Sequence, residues 1–149
     1  MERLLTELVP FWEPVFRLVL AVLASGLIGW ERELGGHPAG LRTNMMVGLG
    51  AAVFTLLSEA VVGRTAADPT RIIAGIAQGI GFLGAGTIFR QKDHVKGLTT
   101  AATIWVVGGL GIAWGMGAYG IATLSTVVAL TVLHTMKYLE LRIHRPGKR

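Results

Sequence analysis

The chain has 149 residues, of which 52% are hydrophobic, 21 are glycine and only 15% are charged. An ordinary soluble domain carries about 25% charged residues, and a soluble chain this short exposes most of its residues to water. The composition therefore excludes disorder, coiled coil and collagen, and it disfavours a soluble enzyme. It predicts an integral membrane protein of one domain, or two at most.

The net charge of +5 does not indicate nucleic-acid binding. The 14 Lys and Arg residues are scattered along short loops and the tail. This distribution is typical of topology signals and of contacts with anionic lipid headgroups. The chain has no Cys, which excludes a disulfide framework, a thiolate metal site and a thiol nucleophile.

Apolar runs in chain order predict five transmembrane helices. A span needs about 20 mostly apolar residues, and the 40 uncharged residues from 97 to 136 are long enough for two. The glycine-rich stretch 115–120 predicts the turn between them. We therefore predict an all-α membrane bundle, a single domain over 1–149, with spans at about 14–30, 42–62, 72–89, 98–115 and 119–138 and a basic tail at 139–149.

The distribution of Lys and Arg predicts the orientation of the bundle. With the N-terminus outside, the inner segments hold ten of these residues and the outer segments hold four. Cytoplasmic loops carry the excess of positive charge, so we expect the C-terminus in the cytoplasm. The intervening loops are too short to fold as separate domains.

The loop between the first two predicted spans concentrates polar residues. Glu31 directly follows the first span and Arg42 opens the second, so an ion pair between them would fix how the two helices enter the membrane. Alternatively, Glu31 and Glu33 could hold a hard cation such as Mg²⁺, with Asp93 as a third candidate ligand. The polar residues assigned to this cluster are Glu31, Arg32, Glu33, Arg42, Thr43 and Asn44.

Small residues recur at helical spacing, and two pairs have the GxxxG spacing that lets membrane helices approach closely. The residues assigned to helix packing are Gly75, Gly79, Gly81, Gly84, Gly86, Gly111 and Gly115, with a stripe of Ala21, Ser25 and Gly29 on the first helix.

The segment 79–86 holds four of these glycines, and its GIGFLG start matches the dinucleotide-binding fingerprint. That fingerprint requires a preceding strand, whereas this segment lies inside an apolar span, so we reject it. The glycine density instead predicts a tightly packed or broken helix, and broken helices line binding sites in transporters.

Polar residues inside the predicted spans are few. Gln78 lies near the middle of the third span, and Thr99, Thr100 and Thr103 recur at helical spacing in the fourth. Polar side chains in lipid need hydrogen-bond partners, so we expect them to bond between helices. The sequence has no nucleophile–base set and no paired intramembrane acids, so we expect no enzymatic activity.

Four sequence blocks resemble the membrane domain of the MgtC/SapB family. They are GWERE at 29–33, PAGLRTN at 38–44, GIGFLGAG at 79–86 and VKGLTTAATIW at 95–105. They occur in the family's order and cover much of residues 17–117. Two positions depart from the pattern, since Lys96 replaces a usual Arg and Gln78 replaces a small hydroxyl residue.

The resemblance implies a bacterial inner-membrane protein connected with growth in low magnesium and, in pathogens, with survival inside host cells. It also implies a modulator of other membrane machinery. Many family members carry a cytoplasmic C-terminal domain of the ACT type, and we expect a short form without it because the sequence ends at Arg149.

We therefore expect a protein that regulates or scaffolds other membrane proteins through lateral helix contacts within the lipid bilayer. The same contacts could also form homo-oligomers. The alternative is a subunit of a transporter or channel for Mg²⁺ or another cation, with Glu31, Glu33 and Asp93 as candidate ligands. Beyond that cation, we expect no cofactor.

Overall fold

The computed structural model describes residues 2–62, 68–91 and 94–143, which form five α-helices and one β-hairpin. The predicted all-α membrane bundle is confirmed, since four of the helices are long and apolar enough to cross a membrane. The elements are α1 (Glu2–Leu34), α2 (Leu41–Val62), α3 (Pro69–Ala85), β1 (Phe89–Gln91), β2 (His94–Lys96), α4 (Leu98–Gly115) and α5 (Tyr119–Ile143).

The third helix is shorter than the span predicted at 72–89. It has 17 residues, or about 26 Å at 1.5 Å per residue, against a hydrocarbon core of about 30 Å. It ends at Ala85 because the next amides bond to carbonyls only three residues back, Thr87 to Gly84 at 3.0 Å and Ile88 to Ala85 at 3.1 Å. The Thr87 hydroxyl also donates to the Gly84 carbonyl, at 2.8 Å. The boundary predicted from the first charge, Arg90, therefore falls in the hairpin.

The start of α3 is capped by Asp68. Its Oδ1 accepts hydrogen bonds from the Thr70 hydroxyl at 2.7 Å and from the Thr70 amide at 2.9 Å. These bonds to the charged form lower the pKa of the Asp68 carboxyl. Pro69 follows at the first helical position, where its missing amide hydrogen costs no helix bond.

Glycines in the left-handed conformation end α1 and α4. Gly36 and Gly117 both have φ of +68°, which a residue without Cβ adopts readily. After Gly36, the amide of His37 bonds back to the Arg32 carbonyl at 3.0 Å, and the amide of Ala118 bonds to the Ala113 carbonyl at 2.9 Å. Both ends are Schellman motifs, and the turn predicted at 115–120 is confirmed.

Helices α1, α2 and α4 form the centre of the bundle. Gly29 of α1 lies against Leu41 and Gly48 of α2 lies against Ser25, so α1 and α2 are antiparallel. Gly111 lies beside Ala51 and Gly115 beside Ala52, so α2 and α4 run parallel. The main cluster of buried side chains combines alanines with larger apolar residues, namely Ala21, Ala24, Ile28, Ala52, Val107, Leu110 and Trp114.

The two remaining helices pack on the outside of this centre. Helix α3 contacts α4 and α2, with Ile80 seated on Gly108 and Gly84 facing the Ala101 carbonyl. Helix α5 contacts α1 and α4 and buries Ala122. One end of the bundle therefore holds Arg17, Glu59 and Gly115, and the opposite end holds Glu31, Glu33 and the hairpin.

Candidate functional site

Glu33 links the end of α1 to the start of α2. Its Oε2 accepts a hydrogen bond from the Leu41 amide at 2.8 Å, which satisfies one of the unpaired amides at a helix N-terminus. The carboxylate lies directly over Gly40, where any Cβ would collide with it. Glu33 is therefore held by the fold as a helix cap.

Asn44 continues this linkage in the interior. Its side chain is fully buried, and Nδ2 donates to the carbonyls of Ala39 at 2.9 Å and Gly40 at 2.8 Å. Gly29 leaves room for it, since a Cβ there would lie 2.8 Å from Leu41 Cα and 3.0 Å from Asn44 Cβ. Asn44 thus fixes the turn into α2, while its Oδ1 is buried and accepts no hydrogen bond.

The predicted ion pair between Glu31 and Arg42 is wrong. Glu31 Oε2 lies 3.7 Å from Nη1 of Arg32, whose side chain is 5% exposed, whereas Arg42 is exposed. Helical residues turn by about 100° each, so Arg42 lies about 200° from Asn44, which faces α1. Arg42 therefore points away from the interface of α1 and α2, whereas the exposed Thr43 lines the groove between α2 and α3.

The carboxylates do not assemble into a metal site among the residues that the structure describes. No group of three or more His, Asp or Glu side chains lies close enough there to hold an ion. Glu33 is engaged at Leu41 and Glu31 faces Arg32. Asp93, the third candidate ligand, lies outside the described residues.

A second polar cluster occupies the opposite end of the bundle, and it centres on Arg17. The guanidinium donates from Nη1 to Glu59 Oε2 and to the Gly115 carbonyl, each at 3.0 Å, and from Nη2 to Glu13 Oε1 at 2.9 Å. Tyr119 also donates to Glu13 Oε1, at 3.1 Å. Local sequence gives no signal for this cluster, because Arg17 and Glu59 lie 42 residues apart in the chain.

An apolar groove of about 690 Å³ opens between α2 and α3; we call it the lateral groove. Its lining includes the buried Ile80, whereas Met46 and Phe54, which also line it, are exposed. The groove therefore faces sideways, away from the bundle centre. Its principal lining residues are Met46, Gly50 and Phe54 from α2 and Ile72, Gly75 and Gly79 from α3.

The glycines assigned to helix packing divide into two groups. Gly111 and Gly115 pack against α2, since Cβ atoms there would lie 2.7 Å from Ala51 Cβ and 2.9 Å from Thr55 Cβ. Gly84 faces α4, and Gly86 lies in the turn after α3. For Gly75, Gly79 and Gly81 the assignment is wrong within this chain, because a Cβ at any of them would meet nothing within 4 Å.

The rotation of α3 about its own axis decides which of its glycines are covered. Ile80 and Gly84 are the positions that α3 turns toward α4, so Gly75 and Gly79 turn toward the groove instead. The run 79–86 is also not a break in the membrane segment, because α3 is continuous to Ala85.

The intramembrane polar residues do not bond between helices in the described part of the chain. Thr103 Oγ1 donates to the Thr99 carbonyl of its own helix at 2.8 Å, and Thr100 is buried. Gln78 is exposed on α3, with no hydrogen bond to any described residue. The expectation of interhelical bonds is therefore wrong for Thr103 and Gln78 within one chain.

Comparison with known proteins identifies the family. The MgtC family profile matches residues 18–142, a range that includes Glu33, the residues of the lateral groove, and Glu59 and Gly115 at the opposite end of the bundle. The chain belongs to the MgtC family. The resemblance inferred from the four sequence blocks is thereby confirmed, and several apolar helices together with this membership indicate a multi-pass bacterial membrane protein.

Three curated relatives show the extent of the similarity. "Putative magnesium transporter YhiD" of Escherichia coli K12 is 39% identical over 137 residues, covering 88% of this chain and 64% of the relative. Protein MgtC of Brucella abortus 2308 is 44% identical over 125 residues, covering 81% and 52%. Protein MgtC of Salmonella typhimurium LT2 is 42% identical over 132 residues, covering 88% and 55%.

The chain thus spans between about half and two thirds of the length of these MgtC-family relatives. No solved structure shows significant similarity to it.

Proposed function

We propose that this MgtC-family chain is a non-enzymatic protein of the bacterial inner membrane that modulates other membrane proteins by lateral helix contacts during adaptation to low magnesium. The lateral groove carries this proposal. It is apolar, it opens sideways between α2 and α3, and it has glycine on both walls at Gly50, Gly75 and Gly79. Small residues let a second helix backbone approach closely where lipid provides no hydrophobic driving force.

The glycine walls are also free to receive such a helix. A Cβ at Gly50, Gly75 or Gly79 would meet no atom within 4 Å, in contrast to Gly111 and Gly115, which their own chain covers. The groove is therefore a surface on which close helix approach is permitted and which the described residues do not use.

Packing at the centre of the bundle favours a role in protein contacts over ion conduction. Gly111 packs directly on the backbone of Gly48, and the buried hydroxyls of Thr55 and Thr126 donate to carbonyls of their own helices at 2.8 and 2.7 Å. An ion pathway requires continuous space lined by polar groups. Here the described ion pairs lie at the two ends of the bundle, and between them Gly48 packs closely on both Ser25 and Gly111, which leaves no room for an ion at this contact.

A cation transporter or channel subunit is the second candidate. Two observations favour it: the printed name of the Escherichia coli relative refers to magnesium transport, and Glu31 Oε2 is buried without a hydrogen bond. A carboxylate oxygen is the kind of ligand that a hard cation prefers.

Flux measurements separate the two candidates. We expect purified protein in proteoliposomes that enclose a Mg²⁺-sensitive dye to give the same Mg²⁺ entry as empty liposomes. Entry that depends on the protein and is lost in Glu31→Gln would overturn the proposed role and establish transport.

A groove-filling variant tests the lateral contact itself. Gly50→Leu should fill the groove without a clash inside the chain, and it should abolish the growth advantage that the protein gives a bacterial strain in low magnesium. Gly109→Leu is the matched control, because a Cβ at Gly109 also meets nothing within 4 Å and this residue does not line the groove. Equal growth of both strains at equal protein levels would contradict a role for the groove.

A further inference from the structure

Helix α3 carries a second outward surface next to the lateral groove. It consists of Gly75, which it shares with the lateral groove, and of Gln78, Phe82 and Ala85, all of them exposed; we call it the α3 seam. The spacing of three, four and three residues is that of the contact positions in a left-handed helix pair. Phe82 is 80% exposed, the highest value among the exposed large hydrophobic side chains of the described residues.

The seam points away from the rest of the bundle. Ile80 and Gly84 are the buried positions of α3 and contact α4. Gln78 and Phe82 lie about 160° from Ile80 around a helix with 100° per residue. No helix of the described chain therefore covers the seam.

Gln78 shows what kind of surface must cover it. Its amide lies near the middle of an apolar helix and has no hydrogen-bond partner among the described residues. An amide without a partner in lipid is unfavourable, because no water is available to replace the missing bonds. The covering surface must therefore provide both a donor and an acceptor at the depth of Gln78.

We propose that the α3 seam joins two copies of this chain, with Gln78 of each copy hydrogen-bonded to Gln78 of the other. Copies in one membrane share an orientation, so a two-fold axis along the membrane normal sets the two α3 helices parallel and each residue near its own counterpart. A glutamine amide is self-complementary, since its NH₂ donates and its oxygen accepts. A second copy thus satisfies both amides at once.

The flanking residues suit such a pair. Gly75 lets the two backbones approach, and Phe82 brings the largest apolar area to the contact. The 17 residues of α3 are also short for a span, and oligomerisation is one way in which a short helix is accommodated. Arg71 lies one turn before Gly75, close to the start of α3, where its long side chain can extend to water.

Disulfide cross-linking tests which face meets the second copy. The chain has no Cys, so each variant carries a single thiol. Phe82→Cys and Ala85→Cys should give cross-linked dimers when native membranes are oxidised. Leu57→Cys on α2 and Val128→Cys on α5, which are also exposed, should stay monomeric.

Three results of this experiment would overturn the proposal. They are the absence of dimers at positions 82 and 85, equal dimers at all four positions, and cross-links from the seam only to a protein of different mass.

The contribution of the Gln78 amide is tested by measuring the dissociation constant of the dimer. Energy transfer between labelled copies is followed as the protein is diluted in lipid. Gln78→Leu should weaken the dimer by about 3- to 30-fold, the range expected for interhelical hydrogen bonds in membranes. Gln78→Asn keeps a self-complementary amide and should stay within about threefold of the wild type. Thr123→Leu, an exposed polar-to-apolar change on α5, should leave the dimer unchanged.

Thermal unfolding of each variant serves as the folding control, because Gln78 bonds to nothing within the described chain. A Gln78→Leu dimer as strong as the wild type would contradict the role of the amide. The Gly50→Leu variant should dimerise normally. A result against the dimer at the α3 seam can therefore be distinguished from a result against the proposed function of the lateral groove.

Discussion

Arg17 of α1 and Glu59 of α2 form an ion pair at 3.0 Å, although 42 residues separate them. The same Nη1 atom donates to the Gly115 carbonyl at the end of α4. One side chain thereby joins three helices at the end of the bundle opposite Glu33. Only 18% of the Arg17 side chain is exposed, whereas Glu59 is about half exposed, so the arginine is the better-shielded partner.

Arg17→Gln should lower the free energy of unfolding by about 1–3 kcal/mol, because it removes bonds to two carboxylates and a backbone carbonyl. Glu59→Gln should cost less than about 1 kcal/mol, since pairs with an exposed partner contribute little. Chemical unfolding in detergent measures both. Arg17→Lys is the control that retains the charge but not the forked donor geometry, and equal losses in all three variants would contradict a central role for the arginine.

Glu33→Ala should destabilise the protein by about 1 kcal/mol, the typical effect of losing a helix cap. Arg42→Ala should change stability by less than about 0.5 kcal/mol, because Arg42 is exposed and does not pair with Glu31. The same unfolding assay compares them. Suppose instead that Arg42→Gln strongly lowered the free energy of unfolding and that adding Glu31→Gln recovered part of the loss. That result would support the ion pair predicted from the sequence.

Gly111→Ala should destabilise the bundle by about 1–3 kcal/mol, since the new methyl group would lie 2.7 Å from Ala51 Cβ in a close-packed interface. Gly109→Ala, on the exposed face of the same helix, should be neutral or slightly stabilising because alanine favours helix. Thermal melts of the two purified variants measure the difference. Equal melting temperatures would show that α2 and α4 do not depend on close backbone approach.

Fusion reporters test the orientation. A reporter attached after Arg149 should report the cytoplasm, and one inserted within 64–68 should report the outside, because ten of the fourteen Lys and Arg residues fall on the inner segments in this orientation. A C-terminal reporter that is active only outside would reverse the assignment of every loop.

Composition and periodicity alone determined the class and most of the architecture. The scarcity of charge required a membrane bundle, and the glycine-rich stretch 115–120 placed the turn between α4 and α5 correctly. The pair Gly111 and Gly115 was also predictable, since GxxxG on an apolar helix favours close packing. These features depend only on local sequence and on whether the surroundings are lipid or water. Both can be inferred from the order of apolar and charged residues in one chain.

Only the tertiary structure decided which polar groups meet and which glycines are covered. The sequence paired Glu31 with Arg42 because both lie at one boundary, but the rotation of α2 turns Arg42 outward and leaves the cap to Glu33. It likewise could not distinguish Gly79 from Gly111, which have the same local spacing. Whether a glycine meets a neighbour depends on how its helix is rotated in the bundle, and that rotation is set by packing between residues far apart in the chain.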